Sequence, residues 1–291
     1  SPSANFDVFK ESKQQNFESQ ESITAVCPYL QEVMRILGEL DQGQFNNEFL
    51  KFPQVSLLGK CDLSGGESSQ RKNVMGSWEG LKPFMLLNIV EHLSLLSIRK
   101  KMSKGSEGVY TVLNSGFELI TDLVLAAFLL SKLAPEIHFH GELIWFVSET
   151  ALHNFYLVEL VKHSTPWMAQ CGAAWERHVK TGRGVYHDHI FWMLPEFCAI
   201  RSQVIPDPTE LQKSDLVIFK GDLNRKLTGD RWAICHPHQW VLNGILPAPL
   251  CSMQMLKLDI QVGLQPGQVE LTADPGWLTE SRGVFQCHSH P

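Results

Sequence analysis

The sequence predicts a three-layer α/β/α fold, a sheet of mostly parallel strands with helices on both faces and a helical portion before it. Three observations carry this. From Val109 onward short β-forming runs alternate with helical stretches, the pattern of successive β–α units. One segment, VYTVLNSGFELITDLVLAAFLL, condenses such a unit between Val109 and Leu130. Leu216-Val217-Ile218-Phe219 is a continuous apolar run, as expected for a parallel strand buried on both faces.

In chain order, Ser22 to Leu40 places Ile23, Val26, Leu30, Val33, Met34, Ile36 and Leu37 at helical spacing, which predicts an amphipathic helix. Asn46 to Phe52 is a shorter helical candidate. Gly59 to Gly76 is Gly/Ser-rich and polar, a solvated loop. Leu81 to Ile98, with Phe84, Leu87, Val90, Leu93, Leu95 and Leu96, predicts a second long helix. Lys100 to Gly108 reads as a basic, solvated connector rather than a phosphate site. Residues 1–104 are therefore expected to be mainly helical and residues 105–291 to form an α/β domain.

That domain opens with the strand Val109–Leu113, the turn Asn114-Ser115-Gly116 and a helix carrying Phe117, Leu119, Ile120, Leu123, Val124, Ala127 and Phe128. Strands are predicted at Ile137–His140 and Ile144–Val147, then helices at Ala151–His163 and Trp167–Lys180. A Gly turn and an aromatic segment, Val185 to Leu194, follow. Pro195 to Pro208 is a loop, and a last apolar segment, Met255 to Val262, comes after Pro247 and Pro249. There is no internal repeat.

Composition narrows the function classes. With 291 residues the chain can bury a substantial core, and 44% hydrophobic with 19% charged residues is globular. A formal net charge of −6 gives no footprint for nucleic acid or an anionic membrane. The longest apolar stretch, Leu123 to Leu130, is too short to span a bilayer. The opening SPSANFDVF reads as a cut within a longer protein. The 7 scattered cysteines, odd in number and without a C-x-x-C, suit a reducing cytoplasmic or nuclear setting. Among the 12 histidines, His138 and His140 alternate, as do His187 and His189. Alternation puts each pair on one strand face, but no third ligand at zinc spacing accompanies either, so no histidine-based zinc site is expected.

Polar clusters fall at three predicted strand ends: Leu113-Asn114-Ser115 with Glu118, Val147-Ser148-Glu149, and Phe219-Lys220-Gly221-Asp222-Leu223-Asn224-Arg225. In an open α/β sheet ligands sit at the carboxyl ends of the strands, where a helix N-terminus offers free N–H groups to anions. Asn114 reads either as a simple helix cap or as an oxygen ligand, and Glu118 either as a charge favoured by the helix dipole or as a group facing a substrate. If the strands are parallel neighbours, Asn114 and Glu149 supply oxygen donors for Mg²⁺, Mn²⁺ or a similar ion. Lys220 and Arg225 then supply cations for a phosphate, the usual setting for phosphate-ester hydrolysis.

The segment DLVIFKGDLNRKLTGDRW resembles the signature of the metal-dependent damage-control phosphatases. The likeness is to the branch also described as sugar-phosphate phosphatases and acidic-residue methyltransferases. It continues through FDVFKES, SQESI, CDLSGGESS, LKPF, NSGFELITDL, HFHG, WFVS, HIFW, PAPL and IQVGLQPGQ, nearly the whole chain. The resemblance implies an α/β/α fold with a helical cap, which in the family includes a further N-terminal helical part that this chain lacks. It also implies a divalent metal (Mn²⁺, Co²⁺ or Ni²⁺, with Mg²⁺ as another candidate) and hydrolysis of small sugar phosphates such as fructose 1-phosphate. The family's metal pocket maps onto Asn114 and Glu149, which are thereby the implied catalytic and metal-binding residues. Its substrate contacts map onto Glu118, Asp222, Leu223, Asn224, Arg225 and Lys257.

Four positions depart from the family pattern. The family's Asp before Asn114 is absent, with Leu113 joining Asn114 directly, and Glu149 stands where the family has Asp. No aromatic separates Asn224 from Arg225. Gln254-Met255-Leu256-Lys257 replaces an Arg-Thr-x-Lys motif. Two further readings follow. One is S-adenosylmethionine-dependent methylation of a protein glutamate, with a protein acceptor as partner, although NSGF offers one glycine where a cofactor loop would need more. The other is a non-catalytic relative that binds a phosphorylated ligand or a protein.

Overall fold

The computed structural model describes residues 31–36, 39, 41, 43–45, 48, 85–88, 107–111, 117–132, 134–141, 152, 156–188, 214–220, 250–255 and 283–288. The strands are β1 (Met85–Asn88), β2 (Glu107–Thr111), β3 (Ile137–Gly141), β4 (Gly184–Asp188), β5 (Ser214–Lys220), β6 (Leu250–Met255) and β7 (Gly283–His288). The helices are α1 (Phe117–Lys132), α2 (Leu157–Lys162) and α3 (Pro166–Lys180). Residues 31–36 are also helical.

The strands form one seven-stranded sheet in the order β1-β7-β6-β5-β2-β3-β4. β2 to β6 run parallel to one another, β7 is antiparallel to β6, and β1 is parallel to β7. Parallel neighbours cannot be joined by a hairpin. The chain therefore crosses from β2 to β3 through α1 and from β3 to β4 by a path that includes α2 and α3.

Residues 119–130 of α1 are buried without a break, so this helix is apolar nearly all round, as a helix enclosed by other elements must be. One side chain fastens it to the sheet. Trp175 of α3 is buried and its indole Nε1 donates to the Leu123 carbonyl oxygen at 2.7 Å. Its ring meets Phe139 of β3 edge-on, with centroids 5.2 Å apart. Gly184 lies against the same ring: a Cβ there would fall 2.6 Å from Trp175 Cζ3. Phe139 and Tyr186 pair across β3 and β4 on this covered face and are buried.

The turn from α3 to β4 is built for the same purpose. Thr181 N–H donates to Arg177 O, Gly182 N–H to Val179 O and Arg183 N–H to His178 O, and Gly182 has a φ of 71°. This is a left-handed glycine helix stop. It presents Arg183, whose Nη2 donates to Leu130 O at 2.6 Å and whose Nε donates to Pro135 O at 3.0 Å. A cation at the last turn of α1 answers the helix dipole there. On β5, Leu216, Val217 and Ile218 are buried in succession, so both faces of that strand are covered.

Several expectations need adjustment. Met85–Asn88, within the stretch expected to be a helix from Leu81 to Ile98, is strand β1 and pairs with β7. Met85-Leu86-Leu87 is a short apolar run closed by Asn88, and periodicity does not separate strand from helix at that length. β6 occupies Leu250–Met255, whereas the last apolar segment was expected to begin at Met255. β7, with no marked alternation of apolar and polar residues, had no expectation. The α-helix within Ala151–His163 is Leu157–Lys162, with Leu152 and Tyr156 in wider π-type turns. The expected strand Ile144–Val147 lies outside the described residues.

Two predictions follow from the packing. A Cβ at Gly172 would lie 2.6 Å from Val161 N and 2.8 Å from Leu160 Cβ, so Gly172→Ala must push α2 off α3. Overpacking of this kind costs about 1–3 kcal/mol. The variant's thermal midpoint should fall, and an unchanged midpoint would refute the close approach. Separately, burial and the charges of Arg183 and Arg177 hold His178 below its ordinary value. The unfolded chain then takes up this proton more readily than the folded one. The stability contributed by neutral His178 is present above the unfolded value of about 6.5 and is lost as pH falls through the folded value. Urea midpoints of His178→Gln should therefore fall less steeply than those of the parent over that window; parallel curves would exclude the effect.

Candidate functional site

The sheet order reverses beside β2. After β2 the chain builds outward through β3 and β4, then returns to place β5 on the other side of β2 and β6 beyond it. This is a topological switch point, where the crevice at the carboxyl ends of the strands takes ligands. Register brings the three ends side by side: Thr111 pairs with Phe219, and Phe219 and Lys220 pair with Ser252 and Met253. α1 begins at Phe117, close in sequence to the end of β2.

The expected site residues distribute around these ends by sequence. Glu118 stands in the first turn of α1. Asn114 falls between β2 and α1; Asp222, Leu223, Asn224 and Arg225 follow β5; and Lys257 follows β6. These six residues lie outside the described residues, as does Glu149 in the segment after β3. The structure thus brings together the strand ends that lead into the Asn114, Asp222–Arg225 and Lys257 segments.

Sequence reasoning gave no role to Asp122, which is fully buried next to the equally buried Thr121. An enclosed carboxylate is costly without partners, and Asp122 lies one helical turn beyond Glu118. The signal was available: Thr-Asp interrupts an otherwise apolar face of α1.

His138 and His140, the first histidine pair, meet His187 of the second in space; His189 lies outside the described residues. His140 is the register partner of His187 across β3 and β4. His138 Nδ1 and His187 Nε2 share a hydrogen bond of 2.8 Å, and Glu136 Oε1 lies 3.7 Å from His138 Nε2. Among the described residues no group of three or more His, Cys, Asp or Glu side chains is arranged to hold a metal ion.

A mostly parallel sheet with a switch point between β2 and β5 places the chain among the open-sheet α/β proteins that bind ligands at strand ends. Within that class it belongs to the damage-control phosphatase ARMT1-like domain family, which matches residues 2–272. Human damage-control phosphatase ARMT1 is 58% identical over 301 residues, covering 97% of this chain and 68% of the human protein. The bovine protein of that name is 57% identical over 305 residues, covering 98% and 69%. The zebrafish one is 44% identical over 312 residues, covering 100% and 69%. That last alignment is longer than the chain's 291 residues, so the zebrafish protein carries residues at positions where this chain has none. No helix among the described residues is long and apolar enough to cross a membrane.

Cys171 of α3 is buried, and burial pushes its thiol up to about 12. The thiolate, not the thiol, is the nucleophile, so this cysteine belongs to the core and not to the chemistry. Mass mapping after brief alkylation at neutral pH should find Cys171 unmodified in the native protein and modified after denaturation. Rapid native labelling would contradict its burial.

Proposed function

We propose that this chain is a divalent-metal-dependent phosphatase acting on small sugar phosphates of the fructose 1-phosphate kind, as a metabolite damage-control enzyme of the cytoplasm or nucleus. The observation that carries the reading is family membership across residues 2–272, in a chain whose β2, β5 and β6 ends lie together at a switch point. The proposal includes a three-layer α/β/α domain, a reading supported by the burial of successive residues on β5.

Asn114 and Glu149 are the residues that would hold the metal. An Asn carboxamide and a Glu carboxylate are hard oxygen donors, the set that suits Mn²⁺, Co²⁺, Ni²⁺ or Mg²⁺. A divalent ion bound there supplies positive charge to the phosphoryl oxygens and lowers the pKa of a water. The remaining work belongs to side chains. Arg225 and Lys257 neutralise the phosphate, and charge-assisted hydrogen bonds from such groups strengthen as charge builds on the phosphoryl oxygens. Glu118, Asp222 and Asn224 accept hydrogen bonds from the sugar hydroxyls, with the Leu223 backbone beside them. The N-terminus of α1 offers N–H groups to the same anion.

One second reading has an observation behind it. With Leu113 directly before Asn114, the donor pair carries a single negative charge. Hard divalent ions depend on carboxylate count, and a relative that has lost one keeps a phosphate pocket while losing turnover. Such a protein would bind a phosphorylated ligand without hydrolysing it.

The two readings separate in one assay series. Phosphate release from fructose 1-phosphate should depend on added Mn²⁺ or Co²⁺. Asn114→Ala should lower kcat/KM on the order of a hundredfold, while Lys257→Ala should raise KM more than it lowers kcat. Absence of turnover on a panel of sugar phosphates with any of these metals, alongside thermal stabilisation by the same sugar phosphates, would establish the binding-only reading.

A further inference from the structure

We propose that His138 and His187 form a second metal site, at the β3–β4 edge of the sheet, for an imidazole-preferring divalent ion of the Cu²⁺ or Ni²⁺ kind. It is independent of the oxygen-donor site proposed at the strand ends. Among the described residues, β3 and β4 are the last two strands on their side of the sheet. Their register sets His138, His140 and His187 on one face, opposite the face where Phe139 and Tyr186 are buried. His187 is exposed, and His138 and His140 are partly so, so an ion can reach them from water.

The donor set, imidazole nitrogens from neighbouring strands, selects the class of ion. The His138 and His187 rings are 10° from coparallel with centroids 5.0 Å apart. Combined with a nitrogen–nitrogen contact of 2.8 Å, this means that the rings meet edge to edge along the line of their nitrogens. Two nitrogens bound at about 2.0 Å in adjacent corners of a square-planar or tetragonal site are about 2.8 Å apart, whereas tetrahedral ligands spread to about 3.3 Å. The 2.8 Å separation is that of their mutual hydrogen bond, which binding an ion replaces, and it already brings the two donors within the span of one ion. A tilt of the rings turns both lone pairs toward a shared ion, with water filling its other positions.

The proton between the rings has somewhere to go. If His138 carries it on Nδ1, it moves to Nε2, where Glu136 Oε1 at 3.7 Å favours that tautomer. If His187 carries it on Nε2, it moves to Nδ1 of an exposed ring. Either way the proton stays on the ring that carried it, and the Glu136 carboxylate offsets part of the ion's charge. His140 lies beside His187 with ring centroids 5.0 Å apart and planes 20° apart, flanking the site on its third side. An ion held there clasps the terminal strand β4 to β3 and favours the folded state.

Cu²⁺ is the probe, titrated into the full chain and followed by electron paramagnetic resonance and thermal melting. One ion should bind with hyperfine coupling to two imidazole nitrogens and raise the melting midpoint. His187→Gln, at an exposed position, should remain folded and lose both effects. His138→Gln should lose them as well, while Asn114→Ala should keep them. A two-nitrogen signal that survives either histidine substitution, or a Cu²⁺ signal with oxygen ligation alone in the parent, would overturn the assignment.

Discussion

The indole of Trp175 is the contact on which the described part of this fold depends. It is a large buried ring with one polar atom, and that atom is satisfied by the Leu123 carbonyl in the middle of α1. A buried indole without a partner would lose the advantage of its area to an unmade hydrogen bond. The bond therefore selects one position of α3 along α1. Phe139 and Gly184 then select one height above the sheet, because the ring abuts the first and leaves no room for a Cβ at the second. Two helices and two strands are fixed by one side chain, and Arg183 repeats the fastening at the carboxyl end of α1.

The consequence for function lies at the other end of α1. Once the helix is held at Leu123 and Leu130, its first turn, with Glu118, is held relative to the sheet, and the close of β2 is a short segment away. The topology adds the rest. Because β5 returns to the far side of β2, the end of β2 is flanked by β5 as well as by β3, the strand that follows it in sequence. Segments distant in sequence thereby start from neighbouring strand ends, which is how one crevice can draw on residues from several parts of the chain.

Much of this was legible in the residues because it is periodic. α1, α3, β3 and β5 are each bounded by turn residues and long or apolar enough for pattern to decide, and they stand where spacing puts them. β1 was illegible for the opposite reason: four residues of MLLN carry no period, and its place in the sheet depends on β7, far away in sequence. For the candidate site, the sequence identified which residue types stand after which strands, and the strand order supplies their juxtaposition. It gave no hint that His138 would find His187, since a contact between neighbouring strands depends on register, and one residue of slip would put the two rings on opposite faces.

The two proposed metal sites differ in a way that bears on selectivity. Oxygen donors at the strand ends suit hard ions, whereas imidazoles at the β3–β4 edge suit borderline ones, and affinity for the latter rises toward Cu²⁺ in any nitrogen site. With only Asn114 and Glu149, the strand-end site has little carboxylate charge with which to hold an ion against competition. Its affinity would then lean on the phosphate of the substrate, whose charge would be shared with Arg225 and Lys257. In a site of that kind metal and substrate bind cooperatively, since each supplies charge that the other lacks. The absent Asp would thus convert a pocket that holds its metal at rest into one that gathers the ion when a phosphate ester arrives.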